Sequence, residues 1–138
     1  MKARTSAVVI ALSLLAGLTG CSKDKEVNAV LDEVEDFTKA LVAKVDKAKD
    51  PKKGVEDALE YMEENGDDVK EKLESIKDVA EFQVNEETME RLMDVLLGSY
   101  GKLAELEIKY MDKTMEDEEF KKNLERLTKE YNGLFEDL

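Results

Sequence analysis

The chain has 138 residues, 42% of them hydrophobic and 40% charged, with a formal net charge of −13. That length allows one domain. A single Cys excludes an internal disulfide framework and a Cys-rich zinc site, and the lack of His removes imidazole ligands and every His-based catalytic triad.

Lys2 and Arg4 make a short basic start, followed by a mostly apolar run from Ala7 to Gly17. The run is shorter than the roughly 20 apolar residues that a membrane-spanning helix needs. It fits the h-region of a secretory signal. Leu18-Thr19-Gly20-Cys21 then places small residues directly before the cysteine. These four residues resemble the lipobox of bacterial lipoproteins. The resemblance implies cleavage before Cys21, a diacylglyceryl group on its thiol and acylation of the new amino terminus. Ser22, next in line, resembles the outer-membrane class of the enteric sorting rule. The expected location is therefore the bacterial envelope, lipid-anchored at the outer membrane on its periplasmic or surface side. Several acyl chains hold durably where one does not, since each buried CH₂ contributes about 0.8 kcal/mol.

On this reading residues 1–20 are a cleaved signal peptide, 21–26 the lipidated Cys and a short tether, and 27–138 a helical domain. Cleavage takes two of the 21 basic residues and none of the 34 acidic ones, so the net charge falls from −13 to −15. Such a surface repels nucleic acid and anionic headgroups. Nucleic acid is not an expected partner, and the membrane is reached through the lipid on Cys21. The tether from Ser22 to Glu26 extends about 17 Å at most, which keeps the domain near its membrane.

The mature chain reads as helix throughout. From about Asp24 to Lys49, Val27, Leu31, Val34, Leu41, Val45 and Ala48 recur at helical spacing with Thr38 in the one gap, and Val30, Phe37 and Val42 widen the stripe. Lys44, Lys47 and Lys49 suit the negative end of the helix dipole. Asp50-Pro51 marks a boundary, Asp as cap and Pro at the first helical position. Val55, Leu59, Met62, Gly66, Val69, Leu73, Ile76 and Ala80 then keep phase across Asn65-Gly66. That phase predicts one helix over 51–82 with Gly66 facing the core. The alternative is a helix end at Asn65-Gly66 and a new start at Asp67.

Asn85 can cap a third helix, with Glu86 and Glu87 in its positive first turn and Val84 and Met89 placed for a hydrophobic staple. Its expected stripe is Met89, Leu92, Met93, Leu96, Tyr100, Leu103, Leu106 and Tyr110, ending near Lys113, with Gly101 an interior cost of about 1 kcal/mol against Ala. Thr114-Met115-Glu116-Asp117 reads as a capping box. Phe120, Leu124, Leu127, Tyr131, Leu134 and Leu138 carry the fourth stripe. The expected fold is all-α: an up-down-up-down four-helix bundle of long antiparallel helices after the signal peptide. Two long hairpins that open out or dimerise are the second possibility.

Little chemistry stands out from this pattern. Diiron bundles need Glu-x-x-His on facing helices, and no His is present. No c-type haem motif, Gly-rich phosphate loop or nucleophile with a nearby base occurs. Glu63-Glu64-Asn65-Gly66-Asp67-Asp68 is the densest acidic cluster and could hold Ca²⁺ around a turn, though it departs from the EF-hand pattern. Met89 with Met93, and Met111 with Met115, are i,i+4 thioether pairs of the kind that suits Cu(I). Met is also a common gap-filler in cores. The expectation is a non-enzymatic module without a cofactor, an acidic helical bundle working by contact with a protein partner at the envelope. The alternative is a bundle that binds a small apolar ligand or a metal (Cu or Ca).

Overall fold

The computed structural model describes residues 22–136. The lipobox Leu18, Thr19, Gly20 and Cys21, the rest of the signal segment and Leu138 lie outside the described residues. Five helices account for nearly all of the described chain: α1 Asp24–Asp46, α2 Pro51–Phe82, α3 Glu86–Lys109, α4 Met111–Glu116 and α5 Glu118–Gly133. No strand occurs among the described residues. α1 takes in residues 24–26, the second half of the stretch read as a tether.

α1 and α2 form a hairpin around Asp50-Pro51. Asp50 Oδ1 accepts the Lys52 N–H at 3.0 Å, capping α2 as its position suggests. Gly54 lets the two helices meet closely. A Cβ built there would lie 2.7 Å from both the Ala48 Cβ and the Lys44 carbonyl oxygen. α2 continues unbroken through Gly66, which is buried. A Cβ on Gly66 would lie 3.2 Å from Met62 Cε, and 3.7 Å from Leu134 Cδ2 on the neighbouring segment.

α3 starts beside the start of α1. The Asn85 N–H donates to Asp24 Oδ1 at 2.8 Å, and the Lys23 N–H to the Gln83 carbonyl at 3.0 Å. Asn85 also caps α3, accepting from the Thr88 N–H at 2.8 Å. Near the far ends of the same two helices, Lys109 Nζ lies 2.7 Å from Asp46 Oδ1 and the Tyr110 hydroxyl donates to that oxygen at 3.2 Å. α1 and α3 are therefore parallel neighbours. α5 lies along α2 in the same sense: Lys52 pairs with Asp117 and Glu119 at one end, and Arg126 bridges Glu63 and Glu130 further along. α1 thus packs on both α2 and α3, and α2 packs also on α5.

Two features correct the reading of four helices. The third helix stops at Lys109 and not near Lys113, and the segment that follows is a separate single-turn helix, α4. The cause is local. Tyr110 leaves helical geometry at φ −104° and ψ 16°, its hydroxyl held by Asp46 and its ring edge-on to Phe120 at 5.8 Å. Thr114 does not cap the last helix, because its hydroxyl turns back to the Met111 carbonyl at 2.7 Å inside α4. Asp117 caps α5 instead, its Oδ1 accepting from the Glu119 and Phe120 N–H groups at 3.0 Å each. The first helix likewise ends at Asp46, short of Lys49.

The core is one continuous cluster. Val27, Leu31, Val34, Leu41 and Val45 of α1 meet Val55, Leu59, Met62, Val69, Leu73 and Ile76 of α2, and Phe120, Leu124, Leu127 and Tyr131 of α5 complete it. Three of the four predicted stripes are buried along their described lengths, apart from half-buried Ala48. The α3 stripe is not.

Candidate interaction surface

The polar residues of α3 set its rotation. Thr88, Val95, Ser99, Leu103 and Leu106 are its buried positions. Asn28 of α1 donates to Thr88 Oγ1 at 3.2 Å and accepts from Arg91 at 2.6 Å. Arg91 also reaches Asp32, and Glu35 at 3.3 Å. Ser99 sits against the Tyr131 hydroxyl. Turning the apolar residues Met93 and Tyr100 inward would pull these groups away from their partners, and a buried polar group without a partner is destabilising. The helix instead leaves apolar side chains in water.

The stripe expected for α3 consequently splits. Leu92, Leu96, Leu103, Leu106 and Tyr110 pack on the core, whereas Met93 and Tyr100 are exposed and Met89 is half-buried. The outward residues belong to a second stripe: Met89, Met93, Leu97, Tyr100, Ala104 and Ile108, spaced 4, 4, 3, 4, 4. Leu97 is 65% exposed and Ile108 73%. Met111 and Met115 on α4 carry the spacing onward, Met115 at 81% exposed. Among the described residues, every exposed large hydrophobic side chain lies on α3 or α4. Tyr100 marks one border of the face, its ring 5.2 Å from that of Phe135. Burial, with a smaller contribution from Glu136, raises its hydroxyl pKa. Leu97, Ala104 and Ile108 were missed in the sequence because one stripe already accounted for the helix. The signal was present as a second set of apolar residues at helical spacing.

No family model, curated protein or solved structure matches this chain.

The remaining candidates are less distinctive. Glu63, Glu64, Asp67 and Asp68 lie on the uninterrupted helix α2, without the turn on which the calcium reading depended. Among the described residues no group of three His, Cys, Asp or Glu side chains is placed to hold a metal ion. Glu63 and Asp67 instead border a hollow of about 430 Å³ between α2 and α5, together with Gly66, Lys70, Glu130 and Gly133. A second, smaller hollow of about 60 Å³ lies between α1 and α3, with Thr38 and Ser99 in its wall and Glu35, Lys39, Asp94 and Lys102 around it. No helix among the described residues is long and apolar enough to cross a membrane.

The electrostatics of the apolar face are one-sided. Glu86, Glu90, Asp94, Glu105 and Glu107 flank it and are exposed. Of the basic residues of α3, Arg91 and Lys109 turn onto carboxylates of α1 and Lys102 borders the hollow between α1 and α3. Met89 and Met93, one turn apart on α3, share an open stretch of surface with Glu86, Glu90 and Asp94.

Proposed function

We propose that the chain is a lipid-anchored envelope protein, held at Cys21, whose helices form a four-helix bundle that acts by contact and not by catalysis. The observation that carries this reading is the exposed apolar stripe of α3 and α4. Monomeric proteins rarely expose a large contiguous apolar patch, and a patch rimmed by polar residues marks an interaction site. Burying one Leu or Met side chain is worth about 1.5–3 kcal/mol, so a partner covering this face gains from several at once. In the bundle we envisage, α1, α2, α3 and α5 alternate in direction, with α4 as the corner piece between the last two. The lipobox-like residues Leu18–Cys21 support the anchor, and the short stretch between Cys21 and Asp24 would hold the domain at the surface.

The test combines position and face. In membranes of the native organism, intact-mass measurement is expected to find Cys21 acylated as the first residue, and Cys21→Ala is expected to leave an unlipidated precursor. A photo-crosslinker at Leu97 is expected to give a discrete protein adduct, whereas one at exposed Glu71 on α2 gives none. Cleavage elsewhere, equal adducts from both positions, or substrate turnover by the purified protein would reject the reading.

A further inference from the structure

The occupant of the α3 face can be specified from its chemistry. This step rests on the proposal that the face is a contact surface. From Met89 to Ile108 the stripe runs about 28 Å at the α-helical rise. Its spacing of 4, 4, 3, 4, 4 keeps these side chains on one face roughly 100° wide, which a second helix can cover. The two i,i+4 methionines at its start are unbranched and adaptable, as at surfaces that accept helical peptides.

Charge selects among occupants. Glu86, Glu90, Asp94, Glu105 and Glu107 border the stripe, and among the described residues none has an ion-pair partner. A second copy of the chain would bring its own acidic border against this one. An anionic bilayer would be repelled in the same way, and interfacial helices that lie in membranes carry Lys and Arg on their polar faces instead. A helix with an apolar stripe and basic flanks meets both requirements: it covers the apolar seam and neutralises the carboxylates on either side.

We infer that the α3 face binds a cationic amphipathic α-helix, with apolar residues at heptad spacing and basic residues flanking them. Three synthetic peptides of about 20 residues test this against the mature chain: a Leu/Lys heptad helix, the same helix with Glu for Lys, and a Ser/Lys peptide of equal charge without the apolar stripe. Fluorescence anisotropy is expected to show the Leu/Lys peptide bound at least tenfold more tightly than the Ser/Lys peptide, and no binding of the Leu/Glu peptide. The double variant Met93→Asn, Leu97→Asn leaves the charge unchanged and replaces only exposed side chains. It is expected to lose at least tenfold in affinity while keeping its circular dichroism spectrum. Glu90→Gln with Asp94→Asn is expected to weaken binding and to flatten its salt dependence. Equal affinity for the Leu/Lys and Ser/Lys peptides, or no effect of the Asn variant, would overturn the inference. So would a dimer in sedimentation that the Asn variant dissociates, or binding to anionic vesicles that it abolishes. Those last two results would leave the face as a contact surface with a different occupant. Failure of the Leu97 crosslink is what removes the contact surface itself.

Discussion

Thr38 Oγ1 of α1 lies 2.6 Å from the hydroxyl of Tyr131 on α5, and both side chains are almost fully buried. Thr38 also reaches the Val34 carbonyl at 2.7 Å. A carbonyl only accepts, so the Thr38 proton goes to Val34, and the Tyr131 proton must go to Thr38. The chain of donors therefore runs Tyr131, Thr38, Val34. This polar line through the core joins α1 to α5 and explains why a Thr occupies the one gap in the α1 stripe.

Tyr131→Phe is expected to destabilise the protein by about 1–3 kcal/mol, because it removes the buried donor to Thr38 and leaves that oxygen one partner short. The aromatic contacts of the ring with Phe37 and Phe135 would remain, so the loss reports the hydroxyl. Urea unfolding of the variant beside the parent measures it. A change below about 0.5 kcal/mol would show that the polar line contributes little.

The same hydroxyl governs alkaline behaviour. Burial pushes the Tyr131 pKa up, opposed in part by the Ser99 and Thr38 hydroxyls, which turn to donate once the phenol oxygen is ionised. Burial is also the first cause of the raised pKa of Tyr110. Hydrogen bonds to carboxylates raise Lys72 and Lys109. In each case the folded chain holds its proton to higher pH than the unfolded chain. Unfolded tyrosine titrates near 10, so this contribution is full below about pH 10 and is lost as pH rises towards the folded value. Stability is expected to fall above pH 10, and less steeply in Tyr131→Phe. Parallel slopes for the two proteins in a pH series of melting temperatures would contradict this.

Two glycines should respond in opposite directions. Gly54→Ala places a Cβ 2.7 Å from the Lys44 backbone oxygen and the Ala48 Cβ, so the α1–α2 corner has to open, at a cost of about 1–3 kcal/mol. Around Gly101, in mid-α3, nothing lies within 4 Å of the added carbon. Gly101→Ala is expected to stabilise by up to about 1 kcal/mol through helix propensity. Thermal melts of the two variants give both signs directly.

Much of this fold is legible in the sequence because most stripes are simple. α1, α2 and α5 each have one apolar face, and periodicity alone identifies the side that is buried. The unbroken phase across Gly66 outweighed an Asn-Gly pair that on its own reads as a helix end. α3 was harder because it carries apolar residues on two faces, and Thr88, Arg91 and Ser99 decide between them through partners on α1 and α5 that lie far away in sequence. The break at Tyr110 was hidden for the same reason, since it depends on Asp46 and Phe120. The close approach at Gly54 also needs the three-dimensional neighbour to be known. The surface proposed for binding thus consists of the residues that periodicity assigned to the core or passed over.

The cap of α5 supplies the last test. Asp117 accepts from the Glu119 and Phe120 N–H groups and stands 3.9 Å from Lys52 of α2. The Phe120 N–H is the main cause of its lowered carboxyl pKa, opposed by desolvation and aided by the Lys52 charge. A carboxylate with a lowered folded pKa stabilises the protein above its unfolded value, near pH 4, and that stability disappears as pH falls through the folded value. Asp117→Ala removes both the cap and its titration, so its melting temperature is expected to lie below the parent's at pH 7, with the gap narrowing as pH falls through the lowered folded pKa. Asp117→Asn keeps a capping oxygen but not the charge, and is expected to fall between the two at pH 7. Thr114→Ala, at the position the sequence pattern favours as a cap, is expected to leave α5 intact. If Thr114→Ala lowered the melting temperature as much as Asp117→Ala, the cap would belong three residues earlier and the last helix would begin at Met115.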